Sequence, residues 1–451
     1  MKQSLKHIVS SQIILIPALF LAACGSPFNS QKSSEYQIPW RSESGKYELQ
    51  NVSISSLSDP ESLSSPLVRL FVTPAEDNGS LAGPQAVGRF MMSTKGVRVP
   101  LDFISLQGAS IHAHFERVYE FDRAVGVDRY LSWPIQVSVE TEILSKQERI
   151  NNAYFDGNRN AILILPYKDE TGEGLPLSLN GGVLTHEHFH SIYDKLVMKR
   201  LSVAGLKVDR HISELAAIEP VKVSGEVKPG QVEPKIEASE FNEFLLRATN
   251  EGLADFWSWL QLDDSDFVGR SISGLRECRR LDKKFSNLPS ASELKPQVFV
   301  LGETQEKANQ HVNWMYYQVG VQYARFFKEM AVAIHGEKPS FVERVEMAQA
   351  LVSALNEFSQ HVIQKFASEE IATDKIAELF VSNLTPSRLS KKSCQLLAEF
   401  KRDGAELPQS CSSFGVSADQ VTKNKIKRSQ NSPRRLQDCS CKMDKRTGIC
   451  E

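Results

Sequence analysis

His186-Glu187-His188-Phe189-His190 and Asn250-Glu251-Gly252-Leu253-Ala254-Asp255 lie far apart in this 451-residue chain, yet a single metal ion could gather residues from both. His186 and His190 are four positions apart, so on a helix their rings lie one turn above each other on one face. That spacing lets both imidazoles reach one zinc ion, at about 2.0–2.1 Å from each nitrogen. Catalytic zinc usually takes three protein ligands and leaves one position open for water. Glu251, 61 positions beyond His190, is the candidate for the third. A fold that satisfies this set must bring two separate helices face to face.

The second helix is itself readable. Between Phe241 and Leu260, apolar residues such as Phe244, Leu245, Ala248, Leu253, Phe256 and Trp257 recur mostly at three- and four-residue intervals. Asp255, one turn after Glu251, can accept the remaining ring N–H of a metal-bound histidine. Asp194 bears the same relation to His190 and is expected to anchor local structure. Glu187 follows the first histidine and is placed to accept a proton from water, the general-base role. The pentapeptide alone would arise by accident in roughly 1% of chains of this length. The competing reading is a surface helix with solvated histidines, and Glu251 with Asp255 weighs against it. His188 sits two residues from each ligand, points to a different face and cannot share the metal.

These residues resemble the gluzincins, zinc peptidases of the thermolysin and neprilysin type. His186 to Asp194 is similar to their H-E-x-x-H-x-x-x-D helix, and Asn250 to Asp255 to their N-E-x-x-x-D helix. Asn152-Ala153-Tyr154-Phe155, followed by Asn160 to Pro166, is similar to the edge strand of the same family, and Gly181-Gly182-Val183 leads into the first helix as it does there. The likeness covers roughly residues 108–260 in the correct order. Two departures stand out: a histidine at position 188, and a longer spacing to the glutamate. Much of the excess is assigned to a loop-like insertion at about 203–238.

The resemblance implies an α+β, zincin-like fold in two lobes. An N-terminal lobe of strands and helices (61–240) would carry the H-E-x-x-H helix. A mostly helical lobe (241–405) would supply the third ligand. It also implies a zinc endopeptidase: one Zn²⁺ on His186, His190 and Glu251, Glu187 as base, and peptide main chain bound as an added strand by Asn152 and Ala153. The developing oxyanion needs a further donor. Tyr316, Tyr317 and His311 are the candidates, each with a packed aromatic or a surface imidazole as the plainer alternative. Two other functions stay open: a non-catalytic surface binding or assembly protein on the same fold, and a zinc hydrolase of cell-wall peptides.

The chain begins with a charged n-region, Lys2 and Lys6, then an apolar run from Ile13 to Ala23 that is too short to span a bilayer comfortably. Leu21-Ala22-Ala23-Cys24 resembles a bacterial lipobox, so residues 1–23 are expected to be a signal peptide and Cys24 the lipidated residue that anchors the chain to a membrane. Gly25-Ser26 lacks an aspartate after the cysteine, which by analogy with other bacterial lipoproteins points to the outer membrane rather than the inner. Residues 24–60, rich in Ser and Pro, read as a flexible tether.

Six further cysteines, Cys278, Cys394, Cys411, Cys439, Cys441 and Cys450, suggest up to three disulfides in an exported chain. The last four belong to a basic tail, 406–451. Its cluster from Lys423 to Arg435 has no interleaved aromatics for base stacking, and with a formal net charge of −2 overall nucleic acid is not an expected partner. Short runs at Val68–Val72, Gly96–Pro100 and Ile135–Val139 read as strands, Ala109–Val125 as a helix, and 241–261, 307–334, 339–367 and 385–402 as further helices.

Overall fold

Helix α2 (Gly181–Tyr193) lies between the two main hydrophobic cores, and the rest of the architecture follows from what packs on each side of it. The computed structural model describes residues 33–72, 75–77, 80–141, 150–169, 174–208, 211–212, 236–299, 305–401 and 407–416.

The N-terminal part contains the sheets. Strands β1 (Ser34–Arg41) and β2 (Tyr47–Ile54) form an antiparallel pair and continue into β7 (Arg98–Pro100) and β6 (Phe90–Met92), in the order β2-β1-β7-β6. The larger sheet has the order β11-β9-β10-β8-β3, from β3 (Val68–Val72), β8 (Ile135–Val139), β9 (Ala153–Asp156), β10 (Ala161–Ile164) and β11 (His211–Ile212). Its β3, β8 and β10 run parallel, whereas β9 is antiparallel to β10. A small hairpin joins β4 (Ala75–Asp77) to β5 (Ser80–Ala82).

Helix α1 (Phe103–Val125) starts where the Asp102 carboxylate accepts the Ser105 N–H and stops at Gly126, whose φ of 87° suits glycine. Its Ile111, Phe115 and Val118 close one core against Tyr36, Ile38, Val68, Leu70 and Val137. The other core is helical. It joins Phe189, Ile192 and Tyr193 of α2 to α4 (Ala238–Leu262), α8 (Gln305–His335), α9 (Phe341–Lys365), α10 (Lys375–Ser382) and α11 (Lys391–Phe400). Short helices α3 (Lys199–Val203), α5 (Phe267–Ser271), α6 (Arg276–Arg279), α7 (Ala291–Val298) and α12 (Gln409–Ser412) complete the described chain. The protein is α+β with a helical C-terminal part.

Several expectations need correcting. Residues 24–60 are not a tether throughout: Tyr36, Ile38 and Ile54 are buried in the first core, and this burial is what holds β1 and β2 in the sheet. The helix expected at 385–402 begins only at Lys391, and α10, ahead of Pro386, was not foreseen. The insertion at 203–238 lies mostly outside the described residues, as do Cys24, the signal segment and the basic tail beyond residue 416. Cys394 and Cys411 form a disulfide, and Cys278 is disulfide-bonded as well; Cys439, Cys441 and Cys450 fall outside the described residues. Among the described residues no helix is long and apolar enough to cross a membrane.

Candidate metal site and cleft

The start of α2 is fixed from three directions. Asn180 accepts the N–H groups of Gly182 and Val183 through its side-chain oxygen, and its amide donates to the Phe267 carbonyl (2.7 Å) and the Ser271 hydroxyl (2.8 Å). A Cβ on Gly182 would lie 2.4 Å from Phe267 Cβ, so α5 packs directly on the helix start. After Tyr193 the helix passes into a π-helical turn, Asp194–Met198, where Asp194 is fully buried with Lys195 Nζ 3.9 Å away. Helix α4 is brought to depth by a glycine crossing: a Cβ on Gly252 would stand 2.1 Å from the Gly320 carbonyl oxygen of α8. That close approach places Glu251, its neighbour, opposite α2.

The result is a buried cluster of two imidazoles and a carboxylate. His186 Nε2 is 3.4 Å from Glu251 Oε2, and His190 Nε2 is 3.7 Å from Glu251 Oε1. Donor atoms of the three residues all lie within 4.8 Å of one another. Two ligands on a tetrahedral zinc, at 2.0–2.1 Å each, would be roughly 3.3 Å apart. The spacing and the two-nitrogen, one-oxygen donor set therefore suit a zinc ion with small adjustments. Glu187 Oε2 stands 3.9 Å from His190 Nε2, beside the cluster rather than within the set.

Behind the cluster, polar groups of α4 adjoin both rings. Asp255 Oδ1 is 2.9 Å from His186 Nδ1, and the Asn250 side chain adjoins His190. Arg279, from α6, reaches Asp255 Oδ1 at 2.6 Å and Glu251 Oε2 at 3.8 Å. Burial opposes charge on every one of these groups, and the balance differs from one to the next. His186 is pushed up to about 10, because hydrogen bonds to Asp255 and Glu251 overcome its burial. Burial dominates at His190 and lowers it to about 4. Glu251 comes down to about 2 against its own burial, through the charge of His190 and its bond to His186. Burial likewise works against Arg279, but Asp255 and Glu251 hold it firmly protonated. The field of the buried carboxylates thus favours positive charge at their centre.

His188 has a separate place. Its Nε2 lies 2.6 Å from Asp122 Oδ2 of α1, both groups are buried, and its ring packs between Phe115 and Trp133.

The cluster opens into a cleft. Leu177, Val183, Phe267, Val268, Ile272 and Leu275 give one apolar wall, and Asn152 and Ala153 lie along another. Strand β11 pairs with Asp156 and Phe155 of β9, and the start of β9, at Ala153, reaches the cleft. Tyr316 and Tyr317 both line the cleft. Tyr316 is buried against Phe244, whereas the Tyr317 ring lies under the Arg279 guanidinium, 4.8 Å from its centroid. His311 is not brought there: its Nε2 is 2.7 Å from the Gln297 carbonyl, which turns the ring away from the cluster.

Sequence reasoning missed Arg279, Asn313 and Gln318, all of which line the cleft. Gln318 is nearly fully buried and its Oε1 has no hydrogen-bond partner. Arg279 sits in a short charged run, Arg276-Glu277-Cys278-Arg279-Arg280, with no local pattern to mark it. Only its pairing with Asp255 across the fold identifies it. No protein-family model matches the chain, and no curated protein matches it.

Proposed function

We propose that this chain is a zinc-dependent endopeptidase of gluzincin type, with a zincin-like fold, carried in the bacterial cell envelope on a lipid attached to Cys24. The observation that supports it most is the convergence of His186, His190 and Glu251 at one buried point beside Glu187, open to a cleft lined by Asn152 and Ala153.

His186, His190 and Glu251 would hold the ion. Bound there, zinc would polarise the scissile carbonyl and acidify water. Asp255, 2.9 Å from His186 Nδ1, would accept from it once the metal is bound and so fix that ring's tautomer and direction. Asn152 and Ala153, which line the cleft, bind the peptide main chain. Glu187 takes a proton from the attacking water and passes it to the leaving amine. Arg279, held by Asp255, donates to a substrate carbonyl, and Tyr317 below it keeps the guanidinium in place. The apolar wall around Val183, Phe267 and Val268 takes an apolar side chain next to the cut bond. The developing oxyanion is met by Tyr316, Tyr317 or the Gln318 amide.

The test is cleavage of casein and of a quenched-peptide library by the wild type and by Glu187→Gln, with bound zinc measured on both proteins. The proposal expects turnover only in the wild type and equal zinc in the two. Equal turnover would remove Glu187 from the mechanism, and zinc without turnover in either would favour a binding protein.

A further inference from the structure

A second cavity, of about 380 Å³, lies where α1, β1, β2, the end of α4 and the start of α9 meet. Gln261 on its wall is ten residues beyond Glu251 on the same helix, so roughly 15 Å separates the two sites. Three polar groups there are underused. Arg117 donates to the Gln261 main-chain carbonyl (2.6 Å), but neither Arg117 nor Arg344 forms an ion pair among the described residues. Arg344 Nε is buried with no partner. Gln261 is 3% exposed, and both the oxygen and the nitrogen of its side-chain amide are buried without hydrogen bonds.

Burial, and for Arg117 the nearby charge of Arg344, lowers the proton affinity of both guanidinium groups. Such groups are ordinarily matched by an anion, because an unpaired buried polar group costs about 1–3 kcal/mol or more. Of the nearby carboxylates, Glu116 is already committed to the Ser55 hydroxyl and the Ser56 N–H, while Glu120 and Asp263, whose charges act on Arg117 and Arg344, are exposed and form no ion pair with them. Trp40 and Phe341 add aromatic walls.

We propose that this cavity binds the free carboxyl end of a peptide, or an N-acyl amino acid, with Arg117 and Arg344 on the carboxylate and Gln261 on the adjoining amide. A guanidinium presents a planar fork that matches a carboxylate, and an amide with both ends unpartnered is complementary to a second amide. The aromatic walls take an apolar terminal side chain. A bare inorganic anion would satisfy the two arginines and leave Gln261 unpaired. The assignment does not depend on peptide hydrolysis at the cleft.

N-acetyl-phenylalanine is the probe, titrated into the full chain by calorimetry and by saturation-transfer NMR, with zinc and after chelation. A ligand of this size should bind at about millimolar or tighter. Its uncharged amide, and the Arg344→Gln variant, should each bind at least about tenfold more weakly, the loss of one charged hydrogen bond. Arg344 is partly exposed and outside the cleft, so folding and zinc content of the variant should match the wild type. Should Arg344→Gln fail to fold, the acid-against-amide comparison on the wild type still decides. No binding, or equal binding of acid and amide, overturns the proposal. Phenylacetate binding as tightly as N-acetyl-phenylalanine would leave an anion site and overturn the peptide-end assignment.

Discussion

Two faces of one helix put the same residue type to different uses. On the cleft face of α2, His186 and His190 converge on Glu251, with Asp255 and Arg279 behind and solvent reachable in front. On the face toward α1, His188 meets a single carboxylate, Asp122, inside an aromatic box. The first arrangement gathers two imidazoles, two carboxylates and a guanidinium around one point and is open on one side. The second is closed and matched one to one. A rotation of about 100° per residue separates a cluster that can accept a cation from a pair that ties two helices together.

The largest expected effect is on the cleft face. Glu187→Gln should lower kcat on peptides by about 10²–10⁴-fold, the usual contribution of a proton-transferring side chain, without lowering thermal stability. Steady-state kinetics beside a thermal melt would show both. On the opposite face the effect should reverse. Asp122→Ala leaves His188 buried without its partner and should cost about 3–5 kcal/mol in denaturant unfolding. A double replacement of Asp122 and His188 by apolar residues should recover most of that loss. If Asp122→Ala unfolds no more easily than the wild type, the two faces are not distinct.

The histidines of α1 sharpen the contrast by pH. His112, whose Nε2 is 3.1 Å from the Leu63 carbonyl, has no carboxylate partner, and burial lowers it from 6.5 to about 4. Burial also lowers His114, which stacks on Trp40, to about 3. Between these values and 6.5 the unfolded chain binds more protons than the folded one, so stability rises with pH. Unfolding free energy should therefore fall as pH drops from about 6.5 toward 4, and His112→Gln should flatten the slope by up to one proton. Unfolding curves at half-unit pH steps would measure it. The smallest effect concerns support of the cluster: Asp255→Asn should weaken zinc binding by about 10–100-fold while preserving the fold, read by competition with a chelating dye.

What the sequence disclosed depended on how local each signal was. Val68–Val72 and Ile135–Val139 appear as strands at the bounds read from the sequence, because both are compact β-favouring runs. The helix around Glu251 was legible from its apolar spacing, and α4 runs from Ala238 to Leu262. In β1 and β2 the Ser- and Pro-rich flanks hid the buried Tyr36 and Ile38, and composition alone gave a tether. Asp122 and Arg279 were unreadable for a different reason. Each acquires its role only through a partner in another helix, 66 residues away for His188–Asp122 and 24 for Arg279–Asp255. His311 failed as a site residue because sequence proximity to Tyr316 says nothing of which side of α8 faces the cleft.

Zinc content tests the account most directly. Wild-type protein, purified without chelator and dialysed, should carry one zinc per chain by mass spectrometry, and Glu251→Gln should carry far less while keeping the wild-type circular dichroism spectrum. A wild-type protein that binds no zinc even when it is supplied, or a Glu251→Gln variant that keeps it fully, would contradict the shared metal site.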